Sequence, residues 1–397
     1  MNSAQTARVA ILPRTVVVLG CVSLLNDAAS EMITPLLPIF LTATLGAGPA
    51  IVGLVEGVAE ATASILKLLS GWLADRGCNA KKLVFAGYGL SNSVRPLIGL
   101  ALGWPLVLVL RFADRIGKGL RTAPRDALIA GATDATLRGR AFGFHRSMDH
   151  AGAVVGPVAA FLLLRADVPL NQVFYWSVVP GLCVLMLIAF GVPRDAPRTL
   201  ATRPPALRWS ALDGHVRAMV IAAGGLALAA VPEVFVVLWA RDAGLEIVWV
   251  PLLWAAASLA KMLIAMPAGM LSDRVGRKTV LVSGWSSRVV ILLAIGLAHV
   301  QGTAVWLLFV FYSMSLAFTE SAERSIIGDH ARVEERGTAF GFYHLTSGLL
   351  ILPGTVLFGT IWEHWNSTAA FIVAACVTAA AAVAMYIMTS GRRHRST

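Results

Sequence analysis

Charge is scarce in this sequence. Asp, Glu, Lys and Arg make up 14% of its 397 residues, where a soluble domain carries roughly 25%. So few ionic side chains cannot coat a globule of this length in water, which excludes an ordinary soluble enzyme or adaptor. Cysteine is scarcer still. Cys21, Cys78, Cys183 and Cys376 are isolated, with no CxxC or zinc spacing, so neither a disulfide framework nor a metal cluster is expected. The sequence has no GxxxxGKS or GxxxxGKT phosphate loop, and no GxSxG or HExxH. ATP therefore drives nothing within this chain, and the usual hydrolase signatures are missing. No enzyme activity, cofactor or resident metal is expected.

Acids are fewer than bases, 22 against 33, which leaves a net charge of +11. Such a surplus can mark a nucleic-acid protein. Here the bases fall in short clusters between apolar runs, not on a soluble module with interleaved aromatics, so no nucleic-acid partner is expected. The first apolar stretch, 16–45, is too long for a cleavable signal and carries acids within it.

What is abundant is hydrocarbon. Apolar residues are 57% of the chain, and mean hydropathy is +0.73. A bilayer is the natural solvent. A spanning helix needs about 20 mostly apolar residues, and that window predicts twelve spans: 15–43, 50–74, 82–102, 104–127, 140–164, 169–192, 214–240, 247–271, 279–299, 303–328, 338–362 and 368–389. The connections on one side hold Arg8, Arg76, Lys81, Lys82, Arg138, Arg194, Arg277, Lys278, Arg332 and Arg336 among others, whereas the other side holds only Arg165 and Arg241. Basic residues stay cytoplasmic, so both termini are expected inside, in a cell (inner) membrane. Residues 193–213, with Pro193, Pro197, Pro204 and Pro205, form the one long polar interruption. They are expected to link a six-helix bundle at 1–192 to another at 214–397.

Two sequence echoes share one offset. Gly71-Trp-Leu-Ala-Asp75-Arg76 returns as Gly269-Met-Leu-Ser-Asp273-Arg274, 198 residues on (75 to 273). Arg138-Gly-Arg-Ala-Phe-Gly-Phe144 returns as Arg336-Gly-Thr-Ala-Phe-Gly-Phe342, again 198 on (138 to 336). One supersecondary unit is therefore used twice, as in carriers that bind solute between two repeats and rock about it. With Gly276, Arg277 and Lys278 added, the second echo resembles the loop between the second and third helices of a half in the major facilitator superfamily. The first copy departs after Arg76, reading Gly-Cys-Asn-Ala-Lys81-Lys82. The resemblance covers essentially the whole chain. It implies an all-α membrane fold of two pseudo-symmetric six-helix bundles, and a conformational latch formed by Gly71, Asp75, Arg76, Gly269, Asp273, Arg274, Gly276 and Arg277. Latch partners for Asp75 are expected near Arg121 and Arg125. In the fifth span, Gly152-Ala-Val-Val-Gly156-Pro157 resembles that superfamily's antiporter motif, although close packing alone also explains small residues four apart.

Ionisable residues at membrane depth are functional candidates by default. The first span holds Asn26, Asp27 and Glu31, and the second holds Glu56 and Glu60; each acid pair is four apart and shares a helix face. A carboxylate that meets wet and dry surroundings in turn can load and release a proton. Asp27, Glu31, Glu56 and Glu60 are therefore the proton-coupling candidates; pairing with bases is the structural alternative. In the fourth span Arg111, Arg115, Lys118, Arg121 and Arg125 fall within a sector of about 120°, with Asp114 inside it. That stripe cannot face lipid. Asn26, Arg95, Arg111, Arg115, Asp149 and Glu233 are the substrate-binding candidates, the arginines through forked donors to an anion. Proton-coupled efflux of a small organic compound by a monomer is the leading expectation. Uptake of an organic anion, or of a metal or metal chelate of copper or siderophore type, is the alternative.

Overall fold

Proline sets many of the helix boundaries. In the computed structural model of the chain, which describes residues 12–75, 79–134, 137–192, 209–212, 214–330 and 336–390, helices follow one another with short connections, and no strand occurs among those residues. The first half contains α1 (Arg14–Glu31), α2 (Leu37–Ile39), α3 (Pro49–Asp75), α4 (Ala80–Val94), α5 (Trp104–Gly131), α6 (Arg138–Arg165), α7 (Leu170–Trp176) and α8 (Val178–Gly191). The second contains α9 (Gly214–Leu228), α10 (Glu233–Asp242), α11 (Val250–Val275), α12 (Arg277–Leu297), α13 (Thr303–His330), α14 (Arg336–His364) and α15 (Ser367–Ser390). A π-helical turn at Phe40–Thr44 continues α2, and a 3-10 turn at Pro96–Leu100 continues α4.

Joined in that way, and taking α7 with α8 and α9 with α10, these elements make the twelve crossings anticipated from hydropathy. The predicted first span, 15–43, is broken after Glu31, because Pro35 and Pro38 supply no amide hydrogen to a continuing helix. The predicted seventh span, 214–240, is split, with α9 ending at Leu228 and α10 starting after Pro232. Nine stretches among the described residues are long and apolar enough to cross a bilayer by length and composition. The crossings outside that group are the first, third and fourth. Helix α1 carries Arg14, Asp27 and Glu31 within its 18 residues, α4 has only 15 residues, and α5 carries the basic stripe with Asp114 and Asp126. Most of the predicted linker, 193–208 and 213, lies outside the described residues.

Within the first half α4 packs on α5, α1 on α6 and α8, and α3 on α5; within the second α11 packs on α13, α12 on α15 and α9 on α14. The halves meet along α3 with α14 and along α6 with α11. Buried apolar residues form one cluster that crosses between the halves, joining Met32, Leu36, Phe40 and Phe174 to Phe235, Trp239, Phe309 and Phe371. All of these lie toward the end bearing the 45–48 and 243–246 connections. Toward the linker end the clusters stay separate: Val16, Leu19, Val84 and Tyr88 in the first half, and Val216, Val220, Leu281 and Trp285 in the second. Apolar packing thus shuts one end of the cleft between the halves.

Candidate substrate and proton site

The basic stripe of α5 faces protein. Arg95, at the end of α4, places Nε 2.9 Å from Asp114 Oδ1 and donates from Nη1 to Asn26 Oδ1 at 3.0 Å. Arg111 Nη2 donates to Glu56 Oε1 at 2.8 Å, and its Nη1 lies 3.7 Å from Asp114 Oδ2. Arg115 is held more loosely, 3.9 Å from both Glu60 Oε1 and Asp114 Oδ2. Asn26, Arg95, Arg111, Asp114, Arg115 and Glu56 are all buried. Helices α1, α3, α4 and α5 are therefore pinned by one ionic lattice. In low dielectric, breaking such a pair leaves an uncompensated charge.

The expected latch partners have other attachments. Arg121 donates to Ser91 Oγ at 2.8 Å and covers the Tyr88 ring at 4.4 Å, while Arg125 is bonded to its neighbour Asp126 at 2.9 Å. Gly71 and Asp75 fall in the last turns of α3, where the side chains are outside the described set, and Arg76 is outside the described residues. The second copy is described. Asp273 is exposed and bonded to Arg277 one turn ahead, so this acid is engaged within its own loop. Gly276 joins α11 to α12 at φ 92, a left-handed conformation that an L side chain resists. Gly269 and Arg274 lie in the last two turns of α11.

Asp27 and Glu31 form no ion pair among the described residues, in contrast to Glu56 and Glu60. Both are half-buried. Asp27 accepts from Asn26 Nδ2 at 3.0 Å. Glu31 Oε2 accepts from Trp254 Nε1 at 2.8 Å, a bond that joins α1 to α11 across the halves. Lys261 lies 5.7 Å from the Trp254 ring and is bonded to Glu233 at 2.8 Å. The candidate Glu233 is thus tied to a base on α11. Asp149 on α6 accepts from Ser23 of α1 and lies 3.6 Å from His145 and 3.7 Å from Arg146.

The fifth-span motif sets the position of Asp27. A methyl group added at Gly152 would lie 2.4 Å from the Leu24 carbonyl oxygen and 2.9 Å from Asp27 Cβ, and one at Gly156 would lie 2.4 Å from the Ala28 carbonyl. Only glycine allows α6 this close to α1. Pro157 follows within the unbroken helix α6.

The sequence pattern described as Major Facilitator Superfamily matches residues 19–350 and, in a second register, 251–397. The chain belongs to that superfamily. It is a transporter, built on the superfamily's two-bundle fold, and not an enzyme. An uncharacterized MFS-type transporter of Methanocaldococcus jannaschii is 30% identical over 361 residues, covering 89% of each chain. A multidrug resistance protein, MdtH, of Aeromonas salmonicida is 25% identical over 87% of each. Among solved structures, the nucleoside transporter NupG superposes with a TM-score of 0.79 at 13% identity, covering 94% of this chain and 99% of that one. A bacterial homolog of the human lysosomal transporter Spinster, in an inward-facing and occupied conformation, gives 0.75 at 15% identity over 94% and 96%. At those identities the likeness is one of fold. In this superfamily member, Glu56 and Glu60, singled out in the sequence for proton coupling, stand beside Arg111 and Arg115, singled out for anion binding, and Asn26 stands beside Arg95. Sequence reasoning passed over Trp254, an aromatic in an apolar span with no outward sign of a polar role. Lys261 was conspicuous as the sole charge within 247–271.

Proposed function

We propose that the chain is a proton-coupled secondary carrier for a small organic compound, with Asp27 and Glu31 holding the proton. The bond from Trp254 to Glu31 carries this assignment. It connects a titratable group of one half to the other half, at the closed end of the cleft. An ionised carboxylate accepts a bond roughly twice as strong as a neutral one does, so protonation of Glu31 loosens the closure that Trp254 helps to hold. Glu56 and Glu60, paired with Arg111 and Arg115, serve as fixed counter-ions and not as proton carriers. Asp75 and Asp273 act as latch acids at the linker end, which faces the cytoplasm together with both termini. On that orientation the described conformation is open to the inside.

Export is supported by the similarity to multidrug resistance proteins and by the seating of the Gly152 and Gly156 face against Asp27. Uptake of an organic anion is supported by the cation-rich face of α5. Vesicles of opposite orientation separate the two: under an imposed proton gradient, the solute accumulates in inverted vesicles for an exporter and in right-side-out vesicles for an importer. Asp27→Asn and Glu31→Gln are expected to abolish gradient-driven accumulation while the protein stays folded in detergent. Full accumulation by both variants would remove these residues from the coupling role.

A further inference from the structure

Among the described residues, one cation of the α5 stripe stands without a partner. Arg111 is bonded to Glu56, Arg121 to Ser91 and the Tyr88 ring, and Arg125 to Asp126. Lys118 is half-buried at the same depth, and its ammonium makes no hydrogen bond, ion pair or ring contact among the described residues. Acids are near. Glu60 of α3 and Asp27 and Glu31 of α1 all feel its charge, yet Glu60 is turned to Arg115, Asp27 to Asn26 and Glu31 to Trp254. Arg115, three positions before Lys118 and on the same face, is itself under-bonded. Its contacts lie at 3.9 Å and its buried Nε has no hydrogen-bond partner.

We infer that Arg115 and Lys118 together receive the negative group of the transported solute, which is an organic carboxylate. An ammonium left unpaired at membrane depth is costly, and such a group marks a solute pathway. The charge balance around it fits an incoming anion. The cations facing this spot are Arg111, Arg115, Lys118 and Arg121 on α5, Lys67 on α3 and, beyond Glu31, Lys261 on α11. The acids are Glu60, Asp27 and Glu31, with Glu56 and Asp114 against Arg111 and Arg115, Glu233 on Lys261, and Asp149 of α6 behind Asp27. When Asp27 and Glu31 carry protons, the cations are in surplus and an anion restores neutrality. Proton and anion therefore bind together. This assignment rests on the proton-coupled reading above and selects cotransport within it.

The test uses the full chain in lipid nanodiscs, with benzoate as probe and benzamide as its neutral counterpart, read by quenching of tryptophan fluorescence. Benzoate is expected to bind saturably and benzamide not. Lys118→Gln should weaken benzoate roughly tenfold or more, the loss of one charge-assisted contact, and Lys118→Arg should retain it. The double variant Asp27→Asn with Glu31→Gln, which imitates the protonated pair, should bind benzoate at neutral pH at least as tightly as the parent. Equal binding of benzamide, absence of saturable benzoate binding, or full benzoate affinity in Lys118→Gln would overturn the assignment. The carrier reading has its own readout: alternating accessibility of single cysteines at the two ends of the cleft. Loss of benzoate binding with alternation intact in Lys118→Gln supports a receptor role. Loss of both makes Lys118 structural and overturns it.

Discussion

At the scale of single residues, the pairing of Arg111 with Glu56 is the contact with the largest predicted consequence. Both side chains are buried and their atoms lie 2.8 Å apart. Arg111→Met leaves Glu56 charged and alone, and is expected to cost about 3–5 kcal/mol, seen as a large fall in the thermal unfolding midpoint in detergent. Adding Glu56→Leu should restore most of the loss, since a buried pair replaced by apolar groups is close to neutral. Trp254→Phe keeps the ring and removes only the donor to Glu31. A bond to a charged group contributes about 1.5–3 kcal/mol, so spin labels flanking the 45–48 and 243–246 connections should report a marked gain in separated conformers. Much at this scale was legible in sequence. Three- and four-residue steps put the α5 bases on one face, and spacing by four did the same for each acid pair. Which acid meets which base was not legible. Glu56 and Arg111 stand 55 positions apart and Glu31 and Trp254 223 apart, so each contact depends on how whole helices dock.

Individual helices and their seams make a different kind of prediction. Alanine at Gly152 must push against the backbone of Leu24 and the Cβ of Asp27. Gly152→Ala should therefore depress proton-driven transport even where folded yield is maintained. Gly143, on the same helix, is the control: a methyl group there meets nothing within 4 Å. Gly143→Ala should leave transport intact and raise helix stability by up to about 1 kcal/mol, measurable as a higher unfolding midpoint. The seam between α3 and α14 is closed in the same manner. A methyl group at Gly53 would sit 2.2 Å from the Thr355 carbonyl oxygen, and Thr355 Oγ1 donates to the Gly53 carbonyl at 2.9 Å. The crossings and the repeat were visible in the sequence because apolar length and the 198-residue offset are properties of the chain itself. The break after Glu31 was obscured, since Pro35 and Pro38 sit inside a stretch whose mean hydropathy reads as continuous.

For the whole molecule the decisive feature is asymmetry between the two ends of the cleft. Besides the shared apolar cluster, a carboxylate of α14 reaches the head of α3 in the other half: the Ala50 backbone N–H donates to Glu363 Oε2 at 3.1 Å. An acid at a helix N-terminus gains about 0.3–1 kcal/mol from the dipole. Glu363→Gln should thus raise the population of conformers open at this end by roughly two- to fivefold, read as faster labelling of a single cysteine in the 45–48 connection. Division of labour between the bundles has a further consequence for biogenesis. The crossings made by α1, α4 and α5 fall short of the length and apolarity that the other nine meet among the described residues, and all three belong to the first half. Leaving the ribosome one at a time, they would enter lipid poorly, with Arg111 and Arg115 facing hydrocarbon. Helix α5 becomes compatible with the bilayer only beside α3 and α4, whose Glu56, Glu60 and Arg95 complete its charges. The crossings of α4 and α5 are therefore expected to enter the bilayer together with α3, while the carboxy-terminal bundle is free to insert helix by helix.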